Sequence, residues 1–224
     1  MAKRTPLSQR QLPDYTRGEE IMNMVTHITG GGLGIVTLLL ALILTVPSGK
    51  GLQIAAGLIY GSTMIALYAV SSIYHGLHPS MGKKVLQVID HCTIYFLIAG
   101  TYTPILICAV IPVYPTLGWG LLTMEWGLAI LAATLTAIDL QIYRTFSMIC
   151  YIFMGWAIIF VLPQAITCLT VPGFLLTLFG GIVYTIGAVL YGIGNKLRWF
   201  HSVFHIFVVL GSLLQMLAIV LYVF

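Results

Sequence analysis

An all-α membrane protein is the fold class this sequence predicts: a bundle of seven transmembrane helices with the N-terminus in the cytoplasm and the C-terminus outside. Three observations predict it. Of the 224 residues, 59% are hydrophobic and only 7% charged, with a mean hydropathy of +1.02, whereas a soluble domain carries about a quarter charged residues. The apolar residues gather into seven runs long enough to cross a bilayer as helices, without the alternation of a transmembrane β-barrel. Basic residues sort to one side when those runs are threaded through a membrane. A net charge of +4 is too modest to point to nucleic acid.

Taken in order, residues 1–20 are polar, with Lys3, Arg4, Arg10, Arg17, Pro6 and Pro13, and read as a cytoplasmic tail. They are not a signal peptide, because the apolar run that follows is too long and lacks a small-residue cleavage site. The spans fall near 21–46, 52–77, 85–110, 117–138, 146–168, 172–193 and 199–223, and turn residues separate them. The breaks are Pro47-Ser-Gly-Lys-Gly51, the loop from His78 to Lys84, Pro112-Val-Tyr-Pro115, Asp139 to Arg144, Thr170-Val-Pro-Gly173 and Gly194-Asn-Lys196. Pro104 and Pro163 lie inside spans and predict kinks, which membrane helices tolerate. The connections are too short for a second domain, so 21–224 reads as one seven-helix unit.

Orientation follows from counting. With seven spans, the tail and the loops after spans 2, 4 and 6 share one side and hold Lys3, Arg4, Arg10, Arg17, Lys83, Lys84, Arg144, Lys196 and Arg198. The opposite side holds only Lys50. The positive-inside rule then puts the N-terminus in the cytoplasm, and an extra or missing span would scramble the bias.

This threading brings polar residues together at one depth. His75 ends span 2, Asp90 and His91 begin span 3, His201 and His205 begin span 7, and Glu19, Glu20, Asn23 and His27 begin span 1, all on the cytoplasmic side. His201 and His205 are four apart, on one helix face about 6 Å apart along the axis. Polar side chains in lipid cost free energy and mark function. Three imidazoles with one open position form the ligand set of a catalytic zinc, whereas structural zinc is closed by four protein ligands. Asp90 is either a fourth ligand or the base that takes a proton from metal-activated water. Ser71, one turn before His75, is placed to hydrogen-bond a ligand, Asp90 or a substrate oxygen. A single histidine near a membrane surface is as readily explained by solvation or an interhelical hydrogen bond; the combination of three with Asp90 is not.

Around that set, Glu20, Asn23 and His27 share one broad helix face and are expected to support the site, although Glu20 also suits a helix N-terminus as a simple dipole partner. His91 points about 100° from Asp90, toward the surroundings of the site or toward span 1. His78 precedes Pro79 and reads as a surface residue. Glu125, in the outer half of span 4, reads as a bundle-facing polar contact, and Asp139 with Arg144 as a solvated loop pair. Gly30-Gly31-Gly32 with Gly34, and Gly180-Gly181, suit close helix packing rather than phosphate binding, since no Lys-Ser/Thr follows. Cys92, Cys108, Cys150 and Cys168 are scattered and read as apolar packers. The aromatic residues suit interfacial belts.

The segments Glu19-Glu-Ile-Met-Asn23-x-x-x-His27, Ser71-Ser-Ile-Tyr-His75, Asp90-His-Cys-Thr running to Pro104, and His201-Ser-Val-Phe-His205 resemble the haemolysin III group of the progestin and adiponectin receptor superfamily. The likeness runs from Glu19 to Phe224, to a compact bacterial member of membrane-homeostasis type with no long N-terminal domain and no added span. The resemblance implies a seven-helix bundle in the bacterial cytoplasmic (inner) membrane and a zinc ion near its cytoplasmic face. It further implies His75, His201 and His205 as zinc ligands, with Asp90 and Ser71 holding or activating the water. Superfamily relatives, the adiponectin receptors and alkaline ceramidases among them, are linked to amide hydrolysis of ceramide. Bacterial relatives are associated with membrane energy and fluidity homeostasis, and some with haemolysis.

The expectation drawn from these residues is a zinc-dependent hydrolase of lipid or acyl-amide substrates, with membrane lipids or a fatty-acid-derived molecule as partner. Two other classes stand beside it: a membrane-state sensor or receptor in which zinc only staples spans 2 and 7, and a pore-forming haemolysin. The pore fits less well, because polar residues crowd one end and the outer half offers little besides Glu125. The oligomeric state is not legible.

Overall fold

The computed structural model describes residues 4–194 and 197–224. The helix α1, Arg17–Thr45, starts at a capping box. The Thr16 hydroxyl accepts from the Glu19 amide at 3.3 Å, and the Glu19 carboxylate accepts from the Thr16 amide at 2.8 Å. The chain continues through α2, Gly51–Gly76; α3, Met81–Pro104; α4, Pro115–Ile138; α5, Arg144–Gly155; α6, Leu162–Gly194; and α7, Phe200–Tyr222. There is no strand among the described residues.

Among the described residues, six helical runs are long and apolar enough to cross a membrane, where the sequence predicts seven. The difference lies in Arg144–Ile193, a run of 50 residues joining the expected fifth and sixth spans. Only Thr170, with φ 61° and ψ 165°, leaves the helical region at the break foreseen there. The kinks also fall differently from expectation. Pro163 sits in the first turn of α6, where a missing N–H costs nothing. The chain instead breaks earlier, at Trp156, and passes through a 3₁₀ turn, Ala157–Val161. Pro104 closes α3, and a π-helical stretch, Ile105–Val110, follows it.

Packing orders the helices into a ring in which α1 meets α2, α2 meets α3, α3 meets α4, α6 meets α7, and α7 returns to α1. Two glycines set close approaches between α1 and α2. A Cβ at Gly61 would lie 2.7 Å from the Leu38 Cα of α1, and one at Gly30 would lie 2.4 Å from the Tyr68 ring of α2. Gly31 and Gly32 meet no such neighbour, so only part of the glycine run serves packing. The core gathers Tyr60, Met64, Tyr68, Tyr102, Leu106 and Ile219. Large apolar side chains such as Ile28, Ile43, Phe160 and Leu221 face outward, as a lipid-contacting surface requires. All four cysteines are free.

One end of the bundle is covered by the N-terminal segment. The Thr5 amide donates to Asp139 Oδ2 at 2.8 Å, and the Arg10 guanidinium, 5% exposed, donates to the Ile138 carbonyl at 2.9 Å and approaches Asp139 at 3.9 Å. Lys84 Nζ donates to the Ser8 carbonyl at 2.7 Å. Asp139 is therefore buried and tied to Thr5, Gln141, Ile142 and Arg10, not to Arg144 in a solvated pair. Burial pushes its carboxyl up, but the amides of Thr5, Ile142 and Gln141 and the Arg10 charge outweigh that and hold it below the usual carboxylate range.

Candidate metal centre

Beneath the N-terminal segment, α2 and α7 bring three imidazoles together. His201 and His205, one turn apart on α7, face each other with 3.0 Å between their Nε2 atoms. His75, at the end of α2, joins them, and one ligand atom from each of the three lies within 4.8 Å of the others. His75 and His205 are buried and His201 is half-buried. The start of α7 is fixed from α1: Trp199 adopts a left-handed conformation, φ 68°, and its amide donates to the second oxygen of the Glu19 cap at 2.7 Å. The same carboxylate thus caps one helix and positions the other. Ser202 adds a second tie, its hydroxyl donating to Asn23 Oδ1 at 2.6 Å with both side chains buried.

His75 is oriented by charge. Its Nδ1 lies 2.6 Å from Glu20 Oε2, and because a carboxylate only accepts, Nδ1 carries the hydrogen and Nε2 the lone pair. The other Glu20 oxygen accepts from Lys83 Nζ at 2.6 Å, and Lys83, 3% exposed, also donates to the Leu77 carbonyl at 2.8 Å. Asn23 Nδ2 lies 3.4 Å from the same His75 nitrogen. His75 Nε2 is buried with no hydrogen-bond partner among the described residues.

These residues fit a zinc ion. The donors are three imidazoles, the set suited to zinc with one open position. Ligand atoms around a tetrahedral zinc sit about 3.3 Å apart; the His201–His205 pair is near that spacing, and no pair in the triad is more than about 1.5 Å wide of it. A carboxylate on one nitrogen of His75, with the other nitrogen unpartnered among the described residues, is the arrangement metal-ligating histidines show.

The other predicted residues occupy distinct places. Ser71 is buried one turn above His75 and is a polar neighbour of the Asp90 carboxyl. Asp90 is not grouped with the three imidazoles but lines both cavities that meet here. His27 stacks on His205 with ring centroids 3.8 Å apart. His91 faces α6 rather than α1: its Nδ1 meets the Gln87 carbonyl at 2.8 Å and its Nε2 the Tyr191 hydroxyl at 3.3 Å. His78 is exposed. Glu125 is fully buried with neither oxygen partnered among the described residues. Sequence reasoning missed Lys83, taken only as a loop charge, and Tyr15, whose ring stacks on His201 at 4.8 Å. Burial is the first cause that holds the Tyr15 hydroxyl well above its usual range, so it stays neutral. No spacing signal announces either residue.

Two cavities meet beside the triad, at His201. One, of about 160 Å³, runs between α2, α3, α5, α6 and α7 and is almost wholly apolar, with Leu67, Ile98, Ile152, Ala188 and Val208 in its wall. The other, of about 600 Å³, is polar and closed over by Arg10 to Tyr15. Asp90, His91, Tyr191 and His201 line both.

Residues 15–216 match the protein family described as Haemolysin-III related. The chain is 37% identical over 205 residues to "Hemolysin-3" of Bacillus cereus, covering 92% of each. It is 34% identical over 208 residues to "Hemolysin-3 homolog" of Bacillus subtilis, covering 93% of this chain and 96% of the relative. A more distant likeness, 26% over 184 residues, joins it to the human "Monocyte to macrophage differentiation factor", covering 74% of this chain and 69% of that one. A bundle of lipid-facing helices with a buried histidine cluster, matched over nearly its whole length by these relatives, is a multi-pass membrane protein that belongs to the haemolysin III family.

Proposed function

We propose that this protein is a zinc-dependent hydrolase acting on lipid or acyl-amide bonds in the bacterial inner membrane, serving membrane-lipid homeostasis. The observation that carries the proposal is the position of the triad: three imidazoles, each with a nitrogen unpartnered among the described residues, beside the place where an apolar cavity meets a polar vestibule at His201. In this reading the chain crosses the membrane seven times with its N-terminus in the cytoplasm. At 1.5 Å per residue, the 50 residues of Arg144–Ile193 extend to about 75 Å against a hydrocarbon core of about 30 Å. Two crossings, 144–169 and 171–193, divided at Thr170, remove that excess. They leave nine basic residues on the side of the triad.

His75, His201 and His205 would hold the zinc, and Glu20 keeps His75 in the tautomer whose Nε2 can bind it. When bound, zinc supplies Lewis acidity that polarises a carbonyl and eases the ionisation of water. Asp90, at the shared wall of the two cavities, takes the proton of the attacking water, drawn from the vestibule. The Ser71 hydroxyl beside Asp90 steadies that carboxylate or the substrate oxygen. The apolar cavity takes the acyl chain and excludes water around the scissile bond.

The test is metal content and turnover on the same preparation. Purified protein is expected to hold one zinc, lost on His201→Ala, and to release fatty acid from an N-acyl substrate by mass spectrometry. Full activity without metal would overturn the reading. The sensor reading is favoured by a different aspect of the geometry, since the triad joins α2 to α7 across distant parts of the chain. Asp90→Asn separates the two: zinc retained with turnover lost supports the hydrolase, and zinc retained with function unchanged supports the staple.

A further inference from the structure

His27 has no part in the scheme above, yet its surroundings are the most demanding in the site. It is 4% exposed, and neither ring nitrogen has a hydrogen-bond partner among the described residues. The Tyr68 ring meets it edge-on at 5.0 Å, but the Tyr68 hydroxyl already donates to Ser212 Oγ at 2.6 Å and cannot relieve it. A buried imidazole left wholly unsatisfied is costly, and such groups in native proteins have a partner. The remaining space against His27 is the apolar cavity, whose wall it shares with Ser71, Asp90, His201 and His205.

Geometry removes the simplest alternative, that His27 is a fourth zinc ligand. Its ring lies over that of His205 with 3.8 Å between centroids and 24° between planes. A nitrogen lone pair lies in its own ring plane, so two stacked imidazoles aim side by side and do not converge on one point. His27 is also absent from the group whose ligand atoms converge.

We propose that His27 is a substrate-binding residue: one of its ring nitrogens hydrogen-bonds the polar head of a fatty-acyl ligand whose chain fills the apolar cavity and whose head reaches the triad. This rests on the lipid-hydrolase reading and adds to it the residue that reads the head group. His27 shares this wall with His201 and His205, so a hydrogen bond here places the head next to them. A neutral ring suffices, either nitrogen accepting from an amide N–H or donating to a carbonyl or carboxylate oxygen.

Two probes test it on the purified full-length protein in detergent: dodecanoyl hydroxamate on the Co²⁺-loaded protein, followed by the cobalt absorption spectrum, and dodecanoate, followed by displacement of a fluorescent fatty acid without metal. His27→Phe is expected to weaken both by about fivefold to tenfold, the worth of one hydrogen bond. Cobalt affinity is expected to stay within about threefold, and His27→Gln to recover most of the probe affinity. Undiminished binding of both probes to His27→Phe would overturn the proposal, as would loss of cobalt in a variant that melts like wild type, since His27 would then be a ligand. Failure of wild type to take up cobalt defeats the hydrolase reading alone, because dodecanoate still reports on His27. A fall in the melting temperature of His27→Phe with probe affinity unchanged in His27→Phe and His27→Gln assigns it to packing and overturns the proposal.

Discussion

Glu20→Gln tests the centre through its most exacting contact. Both Glu20 oxygens are engaged at 2.6 Å, one by His75 Nδ1 and one by Lys83 Nζ. Glutamine keeps the shape but offers one oxygen to two donors, so its NH₂ must face either the imidazole N–H or the ammonium. Facing His75, it removes the acceptor that fixes the tautomer with Nε2 free; facing Lys83, it strands a buried charge on the Leu77 carbonyl alone. Losing a carboxylate that orients a metal-binding histidine costs about tenfold to a hundredfold in metal affinity, or about 1.4–2.7 kcal/mol. Competition against a chromophoric zinc chelator measures this directly. Lys83→Met is the control: Glu20 keeps accepting from His75, so zinc affinity should move by less than about threefold even where stability falls. If Glu20→Gln binds zinc within twofold of wild type, the carboxylate does not orient His75 and the reasoning fails.

Other substitutions test the packing and the buried charges. Gly61→Ala should lower stability by about 1–3 kcal/mol, because its Cβ would meet the Leu38 Cα at 2.7 Å, whereas Gly32→Ala, with nothing within 4 Å, should be neutral in the same thermal melt. Glu125→Met should raise the melting temperature, since it removes a fully buried carboxyl with no partner among the described residues, a burden of about 1–3 kcal/mol; a lower melting temperature would refute that burden. Asp139 is held below the ordinary carboxylate range, so its contribution to docking the N-terminal segment is complete above the unfolded value of 3.8 and lost as pH falls through the folded one. Hydrogen exchange over residues 5–10 should therefore stay protected from neutral pH down to about 4 and rise below it, and Asp139→Asn should reproduce that release at neutral pH. Equal protection in Asp139→Asn would refute the role given to its charge.

Much of the bundle was legible because membrane helices obey one-dimensional rules. Long apolar runs and the turn residues between them follow from the cost of unpaired backbone in hydrocarbon. The expected grouping of His75 with the α7 pair appears in the structure, Asp90 standing outside it, and helical spacing put His201 and His205 on one face. The expected break at Thr170-Val-Pro-Gly173 coincides with Thr170, the non-helical residue inside α6. The expected kink at Pro163 did not appear because proline in a first turn breaks nothing, and Asp139 chose Arg10 over the nearer Arg144 because the N-terminal segment folds back upon it.

The sequence by itself determined which segments are apolar helices and which residues share a helix face. The rotation of each helix about its axis, and hence which side chains touch across helices, was decided only by tertiary packing. That is why Glu20 reaching His75 and Lys83, the Glu19 cap holding Trp199, Tyr15 over His201 and His27 stacked on His205 carry no signature in spacing. Each depends on interhelical approaches of a few ångströms, set by contacts such as Gly61 against Leu38 and Gly30 against Tyr68, which couple residues far apart in the chain. The apolar cavity beside the triad is of the same kind: a gap between helices is a property of their arrangement, and no residue encodes it alone.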